Sequence, residues 1–423
     1  MKIEEDWKPR DVLRFLGLLF TILLGFVTII GSSGGDWDYS PYPLWVETDV
    51  VVSDIDLDGR NDVLTLSMLS TSMSDREGHI GIYRQTDQGG FSAPSTYIFG
   101  EYPWQLVVSD IDGDMLPDLL VTDVDLDSVQ LLLQDPYSNG QFLPPRRIAS
   151  GITSYEIAVA DFNNDAAPDV AISDCQIGSG GVVLLYQDSE DRGVFLPAVD
   201  FTVPGSSSCD LAAGDLDGDG LNDLLAWIYF APSGYTPNGA LAIILQQQDG
   251  TFGQVTTLAP QTGLNVGHLS IADYNGDGAN DLFVFFTPFG ADYIAKLTVV
   301  LQDPGTGTFA SPVDTSLAGI RGIDDAVVAD LNGDDLPDFA VVGTIFDSDG
   351  WNPKIRSRIN VFLQSGGGAF SLAGVWEAPI SVTRVASGDI DGDGLNDLIV
   401  LTDENRFLVM IQSHSMPGTF NLI

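Results

Sequence analysis

Asp389-Ile390-Asp391-Gly392-Asp393-Gly394-Leu395-Asn396-Asp397 is one of seven related nonapeptides in the chain; the others begin at Asp54, Asp110, Asp161, Asp215, Asp273 and Asp330. Successive starts lie about 51 to 59 residues apart, a period that marks a repeat architecture. Acids or Asn hold positions 1, 3, 5 and 9 of every copy. The first four copies supply Asp54, Asp56, Asp58 and Asp62; Asp110, Asp112, Asp114 and Asp118; Asp161, Asn163, Asp165 and Asp169; Asp215, Asp217, Asp219 and Asp223. The last three supply Asp273, Asn275, Asp277 and Asp281; Asp330, Asn332, Asp334 and Asp338; Asp389, Asp391, Asp393 and Asp397. Carboxylates this close repel one another unless a cation sits among them. Hard oxygen donors on a tight loop suit Ca²⁺, which takes about 6–8 oxygens, better than Mg²⁺, which demands strict octahedral geometry and keeps its waters. The expectation is up to seven Ca²⁺ ions, one per repeat. Gly59, Gly220, Gly278 and Gly394 at position 6 suit a left-handed turn, whereas Met115, Ala166 and Asp335 at the same position resist one. The third copy, with three acids and Ala166, is expected to bind most weakly.

An EF-hand would place a bidentate Glu at the twelfth position. Here those positions are Thr65, Val121, Ile172, Ala226, Val284, Val341 and Val400, all within apolar runs rich in β-branched residues. The loops therefore join strands. Each repeat follows one plan: an apolar run ending in a small residue before the first Asp, a second run after the loop, a third ending in Gln, then a Gly-x-Phe-type turn and a more polar fourth run. The Gln positions are Gln85, Gln134, Gln187, Gln246, Gln302, Gln364 and Gln412; the Phe positions are Phe91, Phe142, Phe195, Phe252, Phe309, Phe370 and Phe420. Four short antiparallel strands per repeat without helical periodicity describe an all-β fold, a seven-bladed β-propeller of four-stranded blades with calcium-binding hairpin loops. The repeated Phe reads as core between blades and the Gln as a structural hydrogen-bonding group. Because little chain remains after Phe420, residues 40–46 are expected to supply the outer strand of the last blade and close the ring, removing an exposed edge.

Seven copies of this acidic loop, each followed by strands and the Phe turn, resemble the FG-GAP/VCBS repeat family. The resemblance covers residues 37–423 and implies the integrin-alpha-like seven-bladed propeller with Ca²⁺ loops on one face. It also implies a range of uses, from adhesion and binding modules to accessory domains of larger enzymes.

The chain has 423 residues, 60 acids against 17 Lys and Arg, and a formal net charge of −43. Such a balance argues against nucleic acid and anionic membrane surfaces, which require basic patches. At the N-terminus, Lys2, Lys8, Arg10 and Arg14 precede an uncharged apolar run over 15–30. That charge asymmetry predicts export of the chain beyond the run, with residues 1–36 as either a signal peptide cleaved after Ser33 or a retained membrane anchor. The domain then spans 37–423 and is extracytoplasmic: periplasmic, cell-surface or secreted. In such a compartment Cys175 and Cys209 could pair; the alternative is two reduced, buried thiols.

Loops opposite the acidic face are the expected ligand surface, since function concentrates on loops over a rigid scaffold. The fourth to sixth repeats carry Trp227, Tyr229, Tyr235, Phe289, Tyr293 and Trp351, with Lys354, Arg356 and Arg358 alongside. Aromatic faces beside cations suit a glycan or an acidic protein segment. His79, His268 and His414 lack metal spacing, and no nucleophile elbow or phosphate loop is present. The reading is a non-catalytic binding or adhesion module. A calcium-dependent polysaccharide lyase or hydrolase is the alternative, and a membrane-tethered scaffold or receptor the third reading.

Overall fold

Every repeat folds into its own four-stranded antiparallel sheet, and seven such sheets succeed one another along the chain. The structure is a computed structural model that describes residues 44–422 except 73–74, 176–180, 204, 206, 231–237, 263, 289–293, 318, 348–353, 366–368, 379 and 404–405. Blade 1 comprises Leu44–Ser53, Asp62–Ser72, Asp75–Tyr83 and Ser95–Phe99; blade 7 comprises Val382–Gly388, Asp397–Thr402, Arg406–Gln412 and Phe420–Leu422. In each blade the acidic nonapeptide is the hairpin between the innermost strand and the second, and its ninth residue is the first residue of that second strand.

Apolar residues on both faces of the middle strands dictate this packing. The second strands Asp118–Asp123, Asp169–Ser173 and Asp397–Thr402 are buried along their whole length, as a strand covered by a neighbour on each face must be. Outer strands such as Arg146–Ser150 are mostly exposed. Among the described residues seven large apolar clusters lie one at each junction between consecutive blades, and an eighth, smaller one gathers Met68, Tyr102 and Val124. The junction of blades 7 and 1 is among them: Val50 and Val63 pack there with Ile390, Ile399, Leu401 and Val409. That seventh cluster makes the architecture a closed ring, a β-propeller.

Closure does not use the strand exchange expected from the sequence. Leu44, Trp45 and Val46 belong to the innermost strand of blade 1, opposite Ser70, Leu69 and Met68. Blade 7 takes its fourth strand from its own C-terminal residues: Phe420, Asn421 and Leu422 lie opposite Gln412, Ile411 and Met410. Side chains hold the seam instead, through the apolar cluster and a hydrogen bond from Asn61 Nδ2 to Asp389 O at 2.8 Å. Residues 40–43 fall outside the described residues.

The repeated Gln and Phe are cross-strand partners. All seven pairs, from Gln85–Phe91 to Gln412–Phe420, face each other. Every Phe packs into the cluster its blade shares with the preceding blade, as Phe142 does between blades 1 and 2 and Phe420 between blades 6 and 7. The Gln amides reach the same way. Gln134 Nε2 donates to Ile55 O (3.1 Å) in the loop of blade 1 and to Pro117 O (2.9 Å) in its own loop. Gln187 Nε2 repeats this with Ile111 O (2.9 Å) and Pro168 O (2.7 Å). Gln302 and Gln412 donate to Leu216 O and Leu331 O. Where position 8 is Asn, its side chain joins in: Asn280 Nδ2 and Asn396 Nδ2 each donate at 3.0 Å to the first loop residue of the preceding blade. Adjacent loops are thus fastened by buried polar contacts, which are costly to break.

Candidate functional site

The acidic loops share one set of internal bonds. The carboxylate at position 9 accepts from the backbone N–H of position 2 and from that of the repeated Gln. For Asp223 these are Leu216 N at 2.7 Å and Gln246 N at 2.8 Å; for Asp397 they are Ile390 N at 2.8 Å and Gln412 N at 2.7 Å. Asp215 Oδ2 accepts from Gly220 N (2.9 Å), and Asp219 Oδ1 from Leu221 N (2.9 Å). Residues 4 and 6 both take positive φ. Met115, Ala166 and Asp335 adopt φ of 68°, 64° and 63° at position 6, and Leu57 and Asn164 adopt 52° and 63° at position 4. The three non-glycine residues at position 6 therefore bend the loop as Gly does, at a cost of about 1 kcal/mol each. Carboxylate–amide bonds over-determine the turn and hold it.

In five loops three carboxylates each offer an oxygen such that all three lie within 4.8 Å of one another: Asp54, Asp56 and Asp58; Asp110, Asp112 and Asp118; Asp215, Asp217 and Asp223; Asp330, Asp334 and Asp338; Asp389, Asp391 and Asp397. Asp56 Oδ1 is buried and has no hydrogen-bond partner among the described residues. Burial lifts the position-9 carboxyls to about 6 in Asp62, Asp118, Asp281 and Asp397, and to about 7 in Asp169, Asp223 and Asp338. An all-oxygen, anionic donor set of this kind fits a hard divalent cation. The residues at positions 1, 3, 5 and 9 would hold it, and it would supply the positive charge that the clustered carboxylates lack.

The expected ligand surface is rearranged. Trp227 is fully buried in the core between blades 4 and 5, edge-on to Phe286 with ring centroids 5.3 Å apart. Gly239 makes room for it, since a Cβ there would meet the indole at 2.4 Å. Tyr229 is half-buried against the same cluster. The second strand of blade 4 continues to Phe230, so residues read as a loop are strand. Arg356 and Arg358 lie on the third strand of blade 6 and grip one carboxylate across the sheet, Glu377, at 3.0 Å each. Two cations expected on the ligand surface are therefore paired within the blade. Lys354 begins that strand; Tyr235, Phe289, Tyr293 and Trp351 lie outside the described residues.

A second constellation escaped the sequence reading. Five residues before each loop stands a polar side chain: Asp49, Gln105, Glu156, Asp210, His268, Asp325 and Arg384. In five of the innermost strands this residue directly follows a register shift. Glu156 of blade 3 feels the charges of Asp210, Asp49, Arg384 and Asp325, which come from four other blades, so these groups converge on the ring axis. Burial lifts Asp49, Asp210 and the neighbouring Asp324 to about 7 and pushes His268 down. Several of them serve the next blade: Asp49 Oδ2 accepts from Leu106 N (2.7 Å), Gln105 Oε1 from Ile157 N (2.6 Å) and Asp325 Oδ2 from Val385 N (3.0 Å). The innermost strand is a sheet edge, and these side chains satisfy its unpaired amides. The fixed offset of five residues was the signal in the sequence. Beside this ring, Tyr102, Trp104 and Tyr155 stack edge to face, and Arg384 lies over the Trp104 ring at 5.4 Å.

Cys175 is disulfide-bonded, and Cys209 is the chain's other cysteine. Among the described residues no helix is long and apolar enough to cross a membrane; residues 1–36, with the apolar run 15–30, lie outside them.

A seven-bladed ring with one acidic hairpin per blade defines a class of propeller repeats. A family model for the FG-GAP-like repeat matches residues 54–121, 110–172, 161–226 and 228–284, more than half of the chain. The protein belongs to the FG-GAP-like repeat family. It is similar to the integrin alpha pat-2 of Caenorhabditis briggsae, 27% identical over 217 residues, covering 45% of this chain and 17% of that protein. It is also similar to phosphatidylinositol-glycan-specific phospholipase D of Rattus norvegicus and of Mus musculus, 35% identical over 103 residues in each case, covering 22% of this chain and 12% of those proteins. The chain thus spans less than a fifth of the length of these relatives.

Proposed function

We propose that this protein is an extracytoplasmic, calcium-loaded propeller that serves as a non-catalytic binding module for a protein partner. The observation that carries the metal reading is the recurrence of three converging carboxylates in loops of five blades. Family membership and similarity to an integrin alpha chain support the binding reading. Similarity to an integrin alpha chain is what favours protein over glycan; the aromatic and basic residues expected to serve either ligand include a core tryptophan and two arginines paired with Glu377. On this reading Ca²⁺ stiffens the loops on one face, and the opposite face, around Tyr102, Trp104 and Tyr155, is presented as a rigid surface.

The test is a pull-down of exported proteins with and without chelator, paired with a viscosity assay on acidic polysaccharides. Capture of a defined protein that is lost on chelation, with no fall in viscosity, is the expected outcome. Calcium-dependent loss of viscosity would replace the module with a lyase or hydrolase.

A further inference from the structure

The first loop differs from the other six in carrying its own cations. Position 7 is Arg60, where the other copies have Leu116, Ala167, Leu221, Ala279, Leu336 and Leu395. The residue before the repeated Gln is Arg84, where the others have Leu133, Tyr186, Leu245, Leu301, Leu363 and Ile411. Both exceptions fall on one blade, and both guanidinium groups turn to the same loop. Arg60 donates to Asp58 Oδ2 and pairs with Asp87 at 2.9 Å. Arg84 Nε lies 3.3 Å from Asp56 Oδ2, while its other nitrogens bond Ser95 Oγ (3.0 Å) and Gly140 O of blade 2. Among the described residues no other arginine or lysine pairs with a loop carboxylate. Arg192 meets the third loop only at the carbonyl of Ala166 (3.3 Å). At the seventh loop the contact to Asp393 comes from His414.

We infer that Arg60 and Arg84 stand in for part of the metal charge in the first loop, so that this loop keeps its turn without Ca²⁺ and binds the ion more weakly than the fourth and seventh loops. The inference rests on the calcium reading of the other loops. Its physics is competition: a guanidinium stays charged at all working pH values, the pair occupies one oxygen each of two candidate ligands, Asp56 and Asp58, and both repel an incoming dication. The consequence is local. The first loop forms the blade-1 side of the seam between blades 1 and 7, and Arg84 ties it to blade 2, so that side of the seam keeps its shape independently of calcium.

Three measurements test this. Hydrogen exchange of the unaltered protein in chelator should leave residues 54–62 protected while 215–223 and 389–397 lose protection; equal loss at all three loops would overturn the inference. Native mass spectrometry across a Ca²⁺ titration should show Arg60→Leu/Arg84→Leu taking up one ion at least about tenfold more tightly than the parent protein, since two nearby positive charges are removed. An unchanged titration would refute it. Should that variant fail to fold, the converse pair Leu221→Arg/Leu245→Arg should weaken one site by a similar factor, and full retention of that site would count against the inference. Absence of any bound Ca²⁺ in the parent protein would instead overturn the calcium reading on which the inference depends.

Discussion

Replacing Gln187 by Leu removes a side chain that is 1% exposed and makes three hydrogen bonds: Nε2 to Ile111 O at 2.9 Å and Pro168 O at 2.7 Å, and Oε1 from Gly193 N at 2.7 Å. Leu keeps the approximate shape but leaves two carbonyls and one amide unpaired. At about 1 kcal/mol per bond the loss is about 3 kcal/mol. Gln246 supplies an internal control. It is 2% exposed, its Oε1 accepts from Asn222 N at 3.0 Å, and its Nε2 has no partner among the described residues. Gln246→Leu should therefore cost about 1 kcal/mol. Equilibrium unfolding in urea, followed by tryptophan fluorescence, reads the difference as a shift in midpoint at constant slope. Gln187→Leu is expected to be the more damaging by about 2 kcal/mol. Equal losses, or a larger loss for Gln246→Leu, would refute the claim that these amides fasten one loop to the next.

Trp227→Ala should cost about 3–5 kcal/mol, because the indole is fully buried between blades 4 and 5; a change within about 0.5 kcal/mol, as at ordinary surface positions, would return it to the ligand surface. Chelation should lower the melting temperature by mass action, since an ion bound only by the folded ring stabilises it, and re-added Ca²⁺ should restore it. The axial carboxyls give a pH dependence. Asp49, Asp210 and Asp324 sit at about 7 in the folded ring against about 3.9 in the unfolded chain. Between those values the unfolded chain has released protons that the folded ring retains, so stability falls as pH rises from about 4 to about 7 and levels off above. Arg384 opposes the lift of Asp49 and Asp324. Arg384→Gln should therefore destabilise more at pH 8 than at pH 5 in urea melts with chelator present.

The ring was legible because its signals repeat. One acidic nonapeptide, one Gln and one Phe per blade fix the hairpin, the junction and the direction in which each blade leans on its predecessor. Features that occur once were harder to read. Tyr229 and Trp227 look like loop residues by composition, but the second strand of blade 4 runs on to Phe230, and Gly239 opens the space that the indole fills. Arg356 and Arg358 read as free cations until the register sets Arg358 opposite Glu377. The outer strand of blade 7 is only Phe420–Leu422, too short for a periodicity argument. The axial ring was legible in principle, through a polar residue at a fixed offset in each apolar run, but charge in such a run reads as noise until the strands are seen to converge.

The most direct test of the cation cages is a crystal structure grown with Ca²⁺, with an anomalous difference map collected at long wavelength. Strong peaks are expected among the carboxylates of the second, fourth, sixth and seventh loops, with a weaker peak or none at Asp54–Asp62. Loops with the same turns and carboxylate spacings but no anomalous density at any of the seven would contradict the cation-cage reading.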